Sequence, residues 1–185
     1  METEYKNVEV VNRKSSFKCK DLVLRFLALA LTLVAAVVLG VDKQTKTVAL
    51  TLVPSLPPVD LPVTAKTAQM SAFVYLVIAN AIACSYAATS LVLILATRGA
   101  NKLVSLILII LDLVMVALLF SAIGATGAVG IIGYQGNSHV QWDKVCNVFD
   151  KFCHQVAIAT FMSFAGSITY LLLIVLAVLT LHKKC

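Results

Sequence analysis

The longest apolar stretch of the chain runs from Leu103 to Gly133 and contains a single formal charge, Asp112. About 20 apolar residues are enough to cross the hydrocarbon core of a bilayer, and this stretch is longer. An acid at the centre of a membrane helix costs on the order of 2.5–3.5 kcal/mol on insertion scales. We therefore expect Asp112 to face protein or water and not lipid.

Three further apolar runs and the composition place the chain among integral membrane proteins. Of its 185 residues, 60% are hydrophobic and 13% are charged, whereas water-soluble domains are roughly 45–50% apolar. The runs predict an all-α integral membrane fold, a four-transmembrane-helix bundle. The predicted spans are about 22–41, 72–95, 103–132 and 156–181; they form a four-span membrane domain over 22–182, between an N-terminal tail (1–21) and a C-terminal end (183–185).

Basic residues are divided unequally between the two sides of the membrane that these spans define. Nine lysines and arginines flank the spans on the side of the termini, and five lie in the two loops on the other side. By the positive-inside rule, both termini are predicted to be cytosolic. The tail mixes charges of both signs without apolar periodicity and is predicted to be flexible. Its Cys19 is a candidate for palmitoylation, with a free cytosolic thiol as the alternative.

The two loops on the non-cytosolic side carry different signals. The first, Asp42 to about Met70, holds all four prolines and predicts extended segments broken by turns, including a short hairpin on the membrane. The second holds Cys146 and Cys153, which face an oxidising compartment in the predicted topology, so we expect a disulfide. A metal site that joins these cysteines to the loop histidines His139 and His154 is the weaker alternative, because the spacing matches no zinc pattern.

Small residues recur at regular spacing on two of the predicted spans. On span three glycines stand three residues apart, and on span four small residues stand four apart. Small residues at such spacing let helix backbones approach closely in membranes. We predict both sets as helix-packing surfaces: Gly124, Gly127 and Gly130 on span three, and Ala159, Ser163 and Ser167 on span four.

Arg25 lies in the first turn of span one and is a candidate partner for Asp112. Both spans enter from the same side, so at 1.5 Å per residue Arg25 lies about 6 Å and Asp112 about 14 Å beyond the flanking polar residues. Because helix side chains tilt toward the N-terminus, the remaining gap of about 6–8 Å is near the reach of an extended arginine.

A direct or water-bridged pair between Arg25 and Asp112 would offset the cost of burying both charges and would fix helix register and partner choice. The alternatives are that Arg25 extends to the lipid headgroups, that Asp112 binds protons or cations for transport, or that either residue contacts another subunit. The sequence contains no nucleotide loop, metal-ligand cluster or nucleophile motif. We therefore predict no enzymatic activity, no cofactor, no bound metal and no nucleic-acid partner.

Several segments together carry a family resemblance. They are Arg25 in span one, VDKQTKTV at the start of the first loop, AFVYLVIANAIACSY in span two, ILDLVMVALLFSAIGATGAVG around Asp112, and CNVFDKFCHQVAIATFMSF before and within span four. Over about residues 20–182, the chain resembles the Casparian strip membrane protein-like (CASP-like) family of plants, four-span proteins distantly similar to the MARVEL-domain proteins of animals. The family's intramembrane arginine and aspartate match Arg25 and Asp112, and its paired loop cysteines match Cys146 and Cys153.

The resemblance implies a multi-pass plasma-membrane protein that self-associates, as a homo- or hetero-oligomer with family members, into stable patches among the membrane lipids. In the founding subgroup, such patches recruit secreted wall-modifying enzymes. The first loop keeps Ser55, Leu56 and Pro57 of that subgroup's signature but not the rest, so the expected function is a related non-enzymatic scaffold that organises a membrane domain. The alternatives are a small ion or proton transporter or channel that uses Asp112, and MARVEL-like vesicle trafficking.

Overall fold

The computed structural model describes residues 2–41, 43–50, 59–66, 70–97, 102–136, 146 and 150–182. These residues contain four long helices and one two-stranded sheet. In chain order they are helix α1 (Glu2–Gly40), strands β1 (Lys43–Leu50) and β2 (Val59–Lys66), and helices α2 (Ser71–Thr97), α3 (Lys102–Gln135) and α4 (Asp150–His182). Each helix contains a segment long and apolar enough to cross a membrane: Cys19–Gly40, Ser71–Ala96, Leu103–Gln135 and Asp150–His182.

The four helices pack side by side as an antiparallel bundle. α1 packs against α2 and α4, and α3 also packs against α2 and α4, so α1 and α3 face each other across a diagonal. Thr126 near the end of α3 donates to the Ala72 carbonyl at the start of α2, whereas Tyr86 in the second half of α2 donates to the Leu108 carbonyl near the start of α3. This arrangement is compatible with the predicted four-span membrane bundle.

The two ends of the bundle are referred to below by what lies beyond them. The hairpin end is where α1 and α3 end and α2 and α4 begin, and it carries the β1–β2 hairpin. The terminal end is the opposite one, where α3 begins and α2 and α4 end.

The interior of the bundle is built from residues spaced alternately three and four apart. On α1 these are Arg25, Ala28, Thr32, Ala35 and Leu39, and the other helices repeat the alternation. Such spacing is typical of helices that pack knobs into holes with a left-handed twist. Many interior residues are alanine or serine, which allow close approach, whereas the outward-facing positions are largely leucine, isoleucine, valine and phenylalanine. A large apolar exterior around a partly polar interior suits a bundle surrounded by lipid.

The N-terminal part of the structure differs from the prediction of a flexible tail. α1 begins at Glu2 and continues through Asp21 into the apolar span without interruption. Residues 2–21 contain no glycine or proline and include three glutamates, four lysines and one arginine, which have good helix propensity. Because the apolar span already supplies the nucleus, the helix can extend backwards without a second costly nucleation.

The predicted hairpin is present in the first loop. β1 and β2 pair antiparallel, in register from Lys43 opposite Lys66 to Leu50 opposite Val59. Pro62 lies within β2, and a two-stranded sheet tolerates it because each strand has a free edge. The connection over 51–58, with the other three prolines, lies outside the described residues.

The second loop is flanked by helices longer than the predicted spans. α3 continues to Gln135 and is followed by Gly136, whose φ of 74° is left-handed. The Gly136 N–H donates to the Ile132 carbonyl at 2.9 Å. This is a common glycine cap at a helix C-terminus. α4 begins at Asp150, before the predicted span, with that acid favourably placed in its first turn. The 137–145 segment, which includes His139, lies outside the described residues.

Candidate functional site

Arg25 and Asp112 meet inside the bundle, toward its terminal end. Arg25 Nη2 lies 3.2 Å from Asp112 Oδ2, and Arg25 Nη1 donates to Asp112 Oδ1 at 3.4 Å. Arg25 is 3% exposed and Asp112 is fully buried. This two-point contact is the geometry that gives arginine–carboxylate pairs their orientation. Because α1 and α3 are diagonal in the bundle, the pair spans its interior.

Three further side chains surround the pair. Arg25 Nη1 donates to Ser90 Oγ at 3.0 Å, and Tyr86 donates to Asp112 Oδ1 at 2.7 Å. Asp21, one turn earlier on α1, places Oδ2 at 3.5 Å from Arg25 Nε. Tyr86 and Ser90 are four residues apart and therefore project from one face of α2. These five residues, referred to as the charge cluster, join α1, α2 and α3.

The fourth helix reaches the charge cluster through aromatic contact. The rings of Tyr86 and Tyr170 are 6.2 Å apart, and the fully buried Tyr170 donates its hydroxyl hydrogen to the Ala83 carbonyl at 2.7 Å. α4 is therefore tied to the same level of α2. In a low-dielectric interior, removal of one member of a buried pair leaves an uncompensated charge at a cost of roughly 3–5 kcal/mol. The charge cluster and Tyr170 can thus fix the positions of all four helices relative to one another along the bundle axis.

Tyr86 and Ser90 were not predicted as partners of Arg25 and Asp112, although Tyr86 and Asp112 lie at similar distances from the short connection between their helices. Tyr86 lies eleven residues before the end of α2, and Asp112 lies ten residues after the start of α3. Helices joined by a short connection place such residues at the same level. Depth alone, however, does not show which face of α2 is turned toward the pair.

The small residues predicted on span four lie in the interior of the bundle. Ala159, Ser163 and Ser167 are all fully buried, and Asn80 of α2 donates to the Ser163 hydroxyl and to the Leu76 carbonyl. A tight contact between α4 and α1 occurs at Gly166, a small residue that was not predicted from the sequence. A Cβ atom at Gly166 would lie only 3.2 Å from Cγ2 of Thr32 on α1.

The glycines predicted as a packing surface on span three are not packed against other helices of the chain. No atom lies within 4 Å of the place where a Cβ would stand at Gly124, Gly127 or Gly130. At 100° per residue, positions three apart drift around the helix, so Gly124 is about 200° from the buried Ala122. None of the three therefore packs closely against another described helix of this chain, and helix packing at these glycines stays a prediction.

The four cysteines that the structure describes lie in three different surroundings. Cys146 and Cys153 form the predicted disulfide, with their Cα atoms 5.6 Å apart. Cys19 is an exposed free thiol on α1, and Cys84 is a half-buried free thiol within α2. In the described part of the chain, no three histidine, cysteine or acidic residues lie close enough together to hold a metal ion.

Comparison with known proteins gives consistent matches over most of the chain. A model of the Casparian strip membrane protein domain matches residues 14–169, which include Arg25, Asp112, Cys146 and Cys153. CASP-like protein 1E2 of Vitis vinifera is 58% identical over 184 residues, 100% of this chain and 94% of that protein. CASP-like protein 1E1 of Vitis vinifera is 58% identical over 181 residues, 96% of this chain and 89% of that protein.

A more distant relative shows similar coverage. CASP-like protein 1E1 of Arabidopsis thaliana is 48% identical over 167 residues, 90% of this chain and 88% of that protein. No solved structure matches the chain. The domain match and the near full-length relatives confirm the resemblance seen in the sequence: the chain belongs to the CASP-like family of membrane proteins.

Proposed function

We propose that the chain is a non-enzymatic scaffold of the plasma membrane, which self-associates laterally and organises a membrane domain. The observation that carries this proposal is the closed charge cluster. Both carboxylate oxygens of Asp112 and all three guanidinium nitrogens of Arg25 have partners within the chain. These charges are therefore used to hold the helices together, and they are not left free to bind a substrate or an ion.

A bundle whose helices are fixed relative to one another presents the same outer surface in every copy, which a scaffold needs. Lipid gives no hydrophobic driving force for association between membrane helices, so contacts between chains depend on shape and close approach. Gly124 is exposed on the side of α3 turned away from the bundle interior, with open space around it. We assign it to the contact with a second chain, where a backbone can approach closely.

The regions beyond the membrane are assigned by the proposed topology. With both termini cytosolic, the β1–β2 hairpin and the disulfide between Cys146 and Cys153 face the cell wall. These elements would contact partners outside the cell, including secreted wall-modifying enzymes. On the cytosolic side, an acyl group on the exposed Cys19 would add a second attachment to the bilayer.

Crosslinking in native membranes tests the proposal. Two copies with different tags are expressed together, crosslinked and purified through one tag; we expect recovery of the second copy and of associated membrane or wall proteins. Gly124→Leu should reduce recovery of the second copy several-fold, whereas Val92→Leu on the exposed face of α2 should not. Failure to recover the second copy from crosslinked wild-type membranes would contradict the proposal.

Transport by way of Asp112 is the competing function. It requires a path for water or ions to the carboxylate, which is fully buried in the described bundle. A pH- or ion-dependent flux in vesicles reconstituted with the wild type, abolished by Asp112→Asn, would favour transport over the scaffold.

A further inference from the structure

A cleft of about 560 Å³ lies between α3 and α4 in the half of the bundle nearest the hairpin end. Along α3 its lining extends from Ile123 to Gln135, and along α4 from Phe152 to Phe164; Met70, Phe73 and Cys146 complete it at the hairpin end. Its volume is within the roughly 300–1,000 Å³ usual for small-molecule sites. Both walls belong to segments that can cross a membrane, so in a bilayer most of the cleft would border lipid.

The missing side chains of the α3 glycines help to form this cleft. Gly127 and Gly130 both line it, and neither has an atom within 4 Å of the place where its Cβ would stand. Gly124 has equal free space but lies outside the cleft. Larger residues at Gly127 and Gly130 would therefore project into the cleft without displacing another helix.

We propose that this cleft binds one acyl chain of a phospholipid from the leaflet at the hairpin end of the bundle. The walls on α3 and α4 each span twelve helical steps, which is about 18 Å. The hydrocarbon of a single leaflet is about 15 Å deep, half of the bilayer core. The cleft thus matches the depth that one acyl chain occupies.

The order of polar and apolar groups along the cleft also fits a phospholipid. Tyr134 and Gln135 line the cleft at its hairpin end. Phe161 and Phe164 line its deep end, where the hydroxyls of Thr126 and Thr160 donate to backbone carbonyls. The ring of Phe164 meets that of Phe120 edge-on at 5.9 Å. A phospholipid has the same order, with a polar headgroup at the membrane surface and a hydrocarbon chain below it.

A helix of a second copy is the competing occupant of this apolar cleft. The crosslinks described below distinguish it from an acyl chain. This site is separate from Gly124 and the charge cluster, so it goes beyond the proposed scaffold function.

Photolabelling tests the proposal on the full chain in vesicles of phosphatidylcholine. The probe is a phosphatidylcholine with a diazirine near the end of one acyl chain, and labelled residues are mapped by mass spectrometry of peptides. We expect labels on Thr160, Phe164 and the facing residues of α3 to exceed those on Val92 and Leu113, two exposed lipid-facing residues, at least fivefold. A probe with the diazirine on the headgroup should label near Tyr134 and not near Phe164.

Filling the cleft provides the matched comparison. Gly127→Leu and Gly130→Leu should each reduce labelling of the cleft at least fivefold, whereas Gly124→Leu should leave it unchanged. Equal labelling of all exposed apolar residues in the wild type would overturn the proposal, as would crosslinks between two chains through the cleft or full labelling in both cleft variants. The wild-type label map decides the question even if the leucine variants fail to fold.

Discussion

Arg25 and Asp112 each lower the free-energy cost of burying the other within the membrane. Each charge alone is unfavourable by a few kcal/mol in the middle of a membrane helix. In the bundle they lie 3.2 Å apart, and Tyr86 and Ser90 complete their hydrogen bonds. The Tyr86 hydroxyl shares its single hydrogen between Asp112 and the Leu108 carbonyl, and the Ser90 hydroxyl donates to the Ala87 carbonyl. Each hydroxyl therefore keeps a backbone partner if the charges are removed.

A double-mutant cycle tests this compensation. Arg25→Met and Asp112→Leu should each lower the free energy of unfolding by about 3–5 kcal/mol, because each leaves one buried charge unpaired. The double variant should lose less than either single variant, since an apolar pair can replace a buried ion pair at little cost. Unfolding in mixed detergent micelles, followed by circular dichroism, measures all four proteins.

Asp21→Asn is the matched control for the cycle. Asp21 is half-buried and also contacts Arg25, at 3.5 Å, but near the surface. Exposed ion pairs contribute roughly 0–1 kcal/mol, so this change should have little effect on unfolding. Additive losses in the Arg25 and Asp112 double variant would show that the two residues do not stabilise one another directly.

Depth along the chain was enough to predict the partner of Asp112 but not the whole charge cluster. Arg25 and Asp112 are isolated charges in apolar runs that enter from the same side, which leaves few alternatives. Tyr86 and Ser90 are two of several polar residues on α2, alongside Asn80 and Ser85. Only the rotation of α2, set by packing with its neighbours, turns Tyr86 and Ser90 toward the pair while Ser85 is exposed.

At the scale of helices, α1 and α4 are in tight contact at Gly166. The Thr32 hydroxyl donates to the Ala28 carbonyl at 2.8 Å, which holds the orientation of the side chain and places its methyl group 3.2 Å from the position of a Cβ at Gly166. A methyl group at Gly166 therefore requires Thr32 or its helix to shift by a few tenths of an ångström.

Gly166→Ala should therefore destabilise the bundle by about 1–3 kcal/mol, the usual effect of an extra methylene in a packed interior. Thr32→Ser removes the methyl group but keeps the hydroxyl, so it should restore much of the stability lost in Gly166→Ala. Gly124→Ala, on a position with open space, serves as the control and should be close to neutral. Equal effects of Gly166→Ala and Gly124→Ala on unfolding would show that the contact at Gly166 does not limit packing.

The positions of the interior residues were less predictable from sequence than the existence of the helices. The apolar runs are long, so the four helices follow from length and hydropathy alone. In a membrane protein both the interior and the exterior are apolar, so hydrophobic periodicity does not mark the interior face. The α3 glycines therefore suggested a packing face by their spacing, whereas alanines at the alternating interior positions and Gly166 form it.

At the scale of the whole molecule, the cysteines give a test of topology and of the disulfide together. The chain has five cysteines, two of which are joined. Denatured protein treated with hydroxylamine, which removes an acyl group from Cys19, should therefore accept three maleimide groups before reduction and five afterwards. In a variant that keeps only Cys19 and the disulfide pair, a membrane-impermeant maleimide should label intact cells poorly and permeabilised, hydroxylamine-treated cells fully.

A cysteine placed at Lys46 in β1, in a background without Cys19, Cys84 and Cys185, provides the reverse control. It should be labelled equally in intact and permeabilised cells, because the hairpin is assigned to the outside. Labelling of Cys19 in intact cells would invert the proposed topology. Uptake of five maleimide groups without reduction would show that the disulfide is absent.

The scaffold proposal depends on how the closed bundle behaves in its membrane. Because the charges buried in the bundle are paired with one another, we expect the protein to act through its surfaces: the helix faces within the bilayer and the loops beyond it. Whether those surfaces bring chains together can be observed directly in living cells.

The most direct measurement is single-particle tracking, with counting of photobleaching steps, of a fluorescently tagged copy in the plasma membrane of plant cells. We expect particles that contain several copies and diffuse much more slowly than an unrelated four-span protein of similar size. Particles that bleach in one step and diffuse as fast as that reference protein would contradict it.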